Sequence, residues 1–210
     1  MAEAVLLLFR SVIRLALLIT SLFLISSCSI NRGESDVCFV GDSIFDIWDV
    51  EASFPNFIVH KHAVIGAKIQ DLDDWDLSDC KDIPTVFLMG TNNIGKSYLD
   101  TANTQKNQQK HTDEVLKRLE KIDAKPLLYV SILPRSTNNK EGLSINYYIE
   151  SLNSLVEQSL DSAEVDYRYI NAFDYFIDRD YLIKKNLFKD GLHPNAEGYE
   201  VLTARILKVL

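Results

Sequence analysis

The chain predicts an α/β protein, a three-layer α/β/α sandwich around a five-stranded parallel sheet. Short β-like runs alternate with longer helix-like stretches, the pattern that places a parallel sheet between two layers of helices. The runs at 37–40, 85–89 and 126–132 are also almost unbroken in apolar residues, as central strands covered on both faces must be. No internal repeat or composition break divides 37–210, so this stretch reads as one domain.

Strands are predicted at 37–40, 57–64, 85–89, 126–132 and 165–170. The second carries His60, Lys61 and His62, polar residues that suit an edge. Helices are predicted over 44–50, 69–77, 98–122, 145–160 and 194–210, the last opening on Pro194, whose fixed φ suits a first helical position. Polar blocks punctuate these elements. Gly41-Asp42-Ser43-Ile44 follows the first strand, Gly66 the second and Gly90-Thr91-Asn92-Asn93 the third, and Asp190-Gly191-Leu192-His193-Pro194-Asn195 leads into the last helix. Ligands of open parallel sheets bind at the carboxyl ends of the strands. Ser43, Gly66 and Asn92 are therefore expected on one rim, and segment 190–193 has to fold back to it.

Residues 1–27 read as a signal peptide. Arg10 and Arg14 precede an uncharged aliphatic stretch, 15–25, too short to span a bilayer by itself but long enough for a signal core. Ile25-Ser26-Ser27-Cys28 then resembles the lipobox of bacterial lipoproteins. That resemblance implies that Cys28 becomes the lipid-modified first residue of an exported, membrane-anchored chain, and Ser29 after it implies outer-membrane sorting in a Gram-negative host. The competing reading, a plain anchor starting at Val5, must bury both arginines, which is costly. Residues 28–36 are polar and aperiodic and read as a tether, leaving 37–210 as the folded domain.

The net charge of −8 disfavours nucleic acid as a partner, since that binding depends on neutralising phosphates with Lys and Arg. Cys38 and Cys80 are expected as free thiols, Cys38 because it lies within a buried strand where cysteine behaves as a small hydrophobe. Neither has a His or Cys at zinc-ligand spacing, so no metal is expected. Asp71, Asp73, Asp74, Asp76 and Asp79 lack the glycine and oxygen ligands of a calcium loop and read as a solvated helix face. His60 and His62 share a strand face without an evident third ligand.

The polar blocks together hold the parts of an acyl-transfer site: a hydroxyl nucleophile, a base, a carboxylate to orient the base, and donors for an oxyanion. In order and composition they resemble the SGNH/GDSL hydrolase family over roughly 37–210. The resemblance implies a flavodoxin-like sheet of order 2-1-3-4-5, which agrees with an edge position for the second strand. It implies a carboxylic ester hydrolase with Ser43 as nucleophile, His193 as base and then acid, and Asp190 holding His193. Ser43 N–H, Gly66 N–H and the Asn92 amide would be the oxyanion donors, with no cofactor. The G-x-S-x-G elbow of α/β-hydrolases is missing, because Phe45 stands where its last glycine would be. The family pattern has Asp after the block-three Asn, whereas this chain has Asn93.

Asn92 could instead bond its own turn, Asn195 is expected to shape the start of the last helix, and Trp48 to serve either as a sugar platform or as packing. Acetylhydrolase-like relatives imply a short acyl ester, such as acetyl on carbohydrate. A lysophospholipase or thioesterase of the same fold is the alternative. A non-catalytic glycan-binding lipoprotein is the other, although a binding module has no need of Asp190 beside His193.

Overall fold

In the computed structural model, residues 35–136, 141–163 and 166–210 are described, 141–144 by backbone alone. Cys28, the signal segment and most of the tether lie outside them. The strands are β1 (Ser35–Gly41), β2 (Phe57–Ala63), β3 (Thr85–Leu88), β4 (Leu127–Val130) and β5 (Tyr167–Ile170). They form one parallel sheet of order β2-β1-β3-β4-β5. The helices are α1 (Ser43–Ile47), α2 (Val50–Ser53), α3 (Thr91–Ile94), α4 (Thr104–Ile122), α5 (Glu141–Ser162), α6 (Phe173–Phe176) and α7 (Ala196–Ile206).

Alternation along the strands builds two cores. Cys38 and Val40 of β1, with Phe87 and Tyr129, face Val115 and Leu119 of α4 and Ile149 and Leu152 of α5. Val37 and Phe39 face the other way, with Val86, Leu88 and Leu128, onto Phe45, Trp48, Phe54, Leu202 and Ile206. Helices thus cover both faces, which is why β1, β3 and β4 contain so few polar residues. β2 and β5 are only partly buried, as edges should be.

Several elements depart from expectation, each for a local reason. β1 begins two residues early, so Ser35 and Asp36 are strand rather than tether. The helix expected over 44–50 breaks at Trp48, where the backbone turns extended. Lys61 on β2 takes the carbonyls of Asp46 and Trp48 (both 3.0 Å), and Asp49 then caps α2 through Ala52 N (3.1 Å). The helix expected over 69–77 is two 3₁₀ turns, Ile69–Asp74 and Ser78–Cys80. Its aspartates bond nearby backbone instead of continuing a helix: Asp71 accepts from Lys68 N (2.8 Å) and Asp76 from Ser78 N (3.1 Å). α4 starts at Thr104 rather than 98, after non-helical Asp100. α7 starts at Ala196, so Pro194 precedes the helix and Asn195 caps it, accepting from Gly198 N (3.0 Å).

The expectation of free thiols is corrected. Cys38 and Cys80, both fully buried, are joined as a disulfide, with Cα atoms 5.4 Å apart. The Ser78–Cys80 turn delivers the second sulfur to the face of β1, a placement invisible across 42 residues of sequence.

Candidate active site

Ser43 is the first residue of α1, directly beyond β1, and is 4% exposed. Asp42 caps that helix, accepting from Ile44 N (3.1 Å). A Cβ on Gly41 would overlap the Phe45 ring, so the strand can turn this tightly only with glycine there. His193 arrives from the loop before α7 and places Nε2 3.0 Å from Ser43 Oγ. Its Nδ1 lies 2.7 Å from Asp190 Oδ2. A carboxylate only accepts, so Nδ1 carries the proton and the Nε2 lone pair faces the serine hydroxyl.

Asp190 is tied into its own turn, with Oδ1 accepting from Leu192 N (3.0 Å) and His193 N (2.8 Å). These bonds, the His193 backbone N–H foremost and then its ring, hold the Asp190 carboxyl down at about 2. The loop is pinned at both ends. Ser136 N donates to Gly191 O (2.7 Å) and Lys189 N to His193 O (2.8 Å). Tyr199 of α7 reaches Ile44 O (2.9 Å), clamping the last helix to the first.

The other two blocks sit on neighbouring strand ends, since Gly41 registers with both Ala63 of β2 and Leu88 of β3. Gly66 has φ +77°, a conformation that favours glycine, and a Cβ there would meet nothing within 4 Å. The glycine is therefore demanded by backbone conformation rather than by crowding. Asn92 Nδ2 donates to Ala67 O (2.9 Å), which binds the third block to the second rather than to its own turn. One amide hydrogen is used there, and the second meets no acceptor among the described residues. Asn93 makes the parallel tie, its Oδ1 accepting from Ile69 N (3.0 Å).

Asp42 is the feature that reading the sequence passed over. It is 1% exposed, and burial pushes its carboxyl up to about 6, tempered by the Ile44 N–H and by the nearby His193 ring. The signal was present as an N-cap residue between an apolar strand and a helix.

Other polar residues singled out in the sequence are structural. Trp48 is 2% exposed and stacks on Tyr199 at 5.1 Å, so it is packing and not a sugar platform. The aspartates of 71–79 are all exposed, as expected, but lie on and between two 3₁₀ turns rather than along one helix face, and two of them make ion pairs: Asp73 with Arg118 and Lys121, and Asp79 with His62. His60 bonds Asp36 (2.8 Å). Ligand atoms of Cys38, Cys80 and His62 do lie within 4.8 Å of one another. Both sulfurs are committed to the disulfide and His62 Nε2 to Asp79 (2.8 Å), so the trio is not a metal-binding set in this form. The largest of the described cavities, about 590 Å³ between α4 and α5, is lined by glutamines and serines and includes none of Ser43, Asp190 or His193.

Residues 39–201 match the model of the GDSL-like Lipase/Acylhydrolase family. Among solved structures, a protein from Streptococcus pneumonia superimposes with a TM-score of 0.65 at 22% identity, covering 86% of both chains. A GDSL-like lipase from Bacteroides thetaiotaomicron does so at 0.61 and 19%, over 85% of this chain and 88% of its own. An acetyl xylan esterase from Geobacillus stearothermophilus gives 0.57 and 16%, over 84% and 94%. No curated protein sequence matches the chain. At such identities the structural likeness speaks to fold, and it agrees with the five-stranded 2-1-3-4-5 sheet. The family match covers well over half of the chain, and with it the strand ends and blocks that carry Ser43, Gly66, Asn92, Asp190 and His193. The chain therefore belongs to the GDSL-like lipase/acylhydrolase family and is a carboxylic ester hydrolase.

Proposed function

We propose that the protein removes short acyl groups, acetyl foremost, from carbohydrate through an acyl-enzyme on Ser43. The observation that carries the reading is the unbroken relay from Ser43 Oγ to His193 at 3.0 Å and on to Asp190 at 2.7 Å. Ser43 Oγ attacks the ester carbonyl carbon while its proton passes to His193 Nε2. The carbonyl π electrons move to oxygen, where Ser43 N–H, Gly66 N–H and the second Asn92 N–H receive the charge. The tetrahedral intermediate then expels the alcohol, protonated by His193, and leaves the acyl group on Ser43. Water repeats the sequence, giving the carboxylic acid and free serine. None of these steps calls on a cofactor.

The acetyl-carbohydrate assignment is supported by the acetyl xylan esterase among the similar folds. A second reading, a lysophospholipid or long-chain thioester as substrate, is favoured by Val64 and Ile65. They are 51% and 66% exposed immediately before Gly66 and give that loop an apolar lip. Location follows from the sequence alone: Cys28 behind an aliphatic core supports a lipid-anchored, exported chain.

Turnover of p-nitrophenyl esters of increasing chain length, beside acetylated xylan and lysophosphatidylcholine, separates the readings. Acetate and acetylated xylan are expected to lead, whereas a rate rising with chain length would overturn the acetyl assignment. A fluorophosphonate is expected to label wild type at Ser43, and Ser43→Ala to lose both label and turnover, by about 10⁴-fold or more. Labelling that persists in Ser43→Ala would remove Ser43 from the mechanism.

A further inference from the structure

Asn93 stands where the family pattern has an aspartate, and its surroundings supply the reason. Its Oδ1 accepts from Ile69 N (3.0 Å) and its Nδ2 donates to Gln70 Oε1 (2.7 Å). Gln70 Nε2 donates onward to Glu114 Oε2 on α4 (3.2 Å), and Glu114 also receives Arg118 (2.5 Å). The direction of this relay is fixed by chemistry rather than by the choice of amide rotamer. A carboxylate only accepts, so Gln70 must turn its NH₂ towards Glu114 and present its carbonyl to residue 93. The Ile69 N–H only donates, so residue 93 must also offer an acceptor. Asparagine meets both demands. An aspartate would set a carboxylate oxygen against Gln70 Oε1, two acceptors with no proton between them.

We propose that Asn93, oriented by the Gln70–Glu114 relay, is a positioning residue that fixes the spacing between two of the three oxyanion donors, Gly66 N–H and the Asn92 amide. Asn92 and Asn93 reach side by side from the third block to Ala67 O and Ile69 N, so the two loops are riveted twice, on either side of Lys68. The proposal rests on the roles assigned above to Ser43, Gly66 and Asn92. The Asn93–Gln70 and Gln70–Glu114 bonds are exposed and contribute little to folding, whereas donors misplaced by an ångström can cost about 10²-fold in rate. The effect therefore belongs in kcat rather than in stability.

The test is a cycle on the full-length protein with p-nitrophenyl acetate. Asn93→Asp is expected to lower kcat roughly 10- to 100-fold, with KM within about twofold and an unchanged melting temperature. Gln70→Leu, at an exposed position that leaves the fold intact, is expected to lower kcat several-fold in the same manner. The double variant Asn93→Asp/Gln70→Lys is expected to regain about tenfold over Asn93→Asp, because an ammonium at position 70 donates to both carboxylates. A merely structural role would not be rescued by exchanging an acceptor for a donor.

Ser43→Ala separates the two levels of the argument. If it stays active, the reading of the site fails and the inference with it. If it is dead while Asn93→Asp and Gln70→Leu keep kcat within about threefold, the positioning role alone is overturned. Loss in Asn93→Asp without rescue in the double variant overturns the directional relay. Should Asn93→Asp fail to fold, Gln70→Leu decides by itself: an unchanged kcat overturns the proposal and a several-fold loss supports it.

Discussion

Two carboxylates flank the serine–histidine pair in opposite environments, and those environments set how readily each takes a proton. Asp190, half exposed and fed by two backbone N–H groups and the His193 ring, is held at about 2 and remains an anion throughout the working pH range. Asp190→Asn puts an amide donor against Nδ1 and shifts the imidazole proton to Nε2, where it blocks acceptance from Ser43. A fall in kcat of about 10²- to 10⁴-fold, with fluorophosphonate labelling slowed in parallel, is the expected result. Asp42 is the reverse case. Burial raises its carboxyl to about 6 from an ordinary 3.8, so the folded chain binds this proton more tightly than the unfolded chain. Stability from this group is complete below about pH 4, declines as pH rises towards 6, and is lost above that. Asp42→Asn keeps the cap to Ile44 N without the buried charge. It is expected to be more stable than wild type by about 2 to 3 kcal/mol at pH 8 and equal to it at pH 4, as read by urea unfolding at both values.

The segment 187–198 delivers His193 to Ser43, and it is held by how closely α7 approaches it. A Cβ on Gly198 would collide with Leu187 O and come within 2.9 Å of Pro194 Cβ. Alanine is the better helix former by about 1 kcal/mol, but the overlap with a backbone carbonyl outweighs that gain. Gly198→Ala is expected to cost roughly 1 to 3 kcal/mol in denaturant unfolding. It should also lower kcat, because relief of the overlap displaces the chain that runs through Asn195 N to Leu187 O and Lys189 N to His193 O. A variant that unfolds earlier but turns over at the wild-type rate would show that the loop holds His193 without α7.

At the scale of the whole molecule, the sheet order makes the site. Because β2, β1 and β3 are adjacent and parallel, the loops after them open on one rim, and only the 190–193 segment has to travel to it. The Cys38–Cys80 disulfide ties β1, five residues before Ser43, to the excursion that follows Gly66. A disulfide of that kind belongs in an oxidising compartment, which agrees with the proposed export. Wild type is expected to partition with membranes and to incorporate an alkynyl fatty acid, since two or more acyl chains anchor stably where one does not. Cys28→Ala is expected to lose that label, and a chain beginning near Ser35 to be soluble and active. Label that persists in Cys28→Ala would make the first segment an ordinary anchor.

The sequence by itself determined the fold class and the identities of Ser43, His193, Asp190, Gly66 and Asn92 as candidates. Apolar runs of strand length, the polar edge strand and the four blocks are local features, and local chemistry is what a sequence displays. Tertiary structure decided whatever depends on a distant partner. Lys61 ended α1 by taking carbonyls from another element, and Asp79 and Asp36 claimed the two strand histidines. Cys80 found Cys38 across the chain, and Glu114 fixed the direction in which Gln70, and so Asn93, must point. In each case a side chain with several acceptable local partners was committed by the one that packing placed within hydrogen-bond or bonding reach, and that choice is made by the sheet and its helices together.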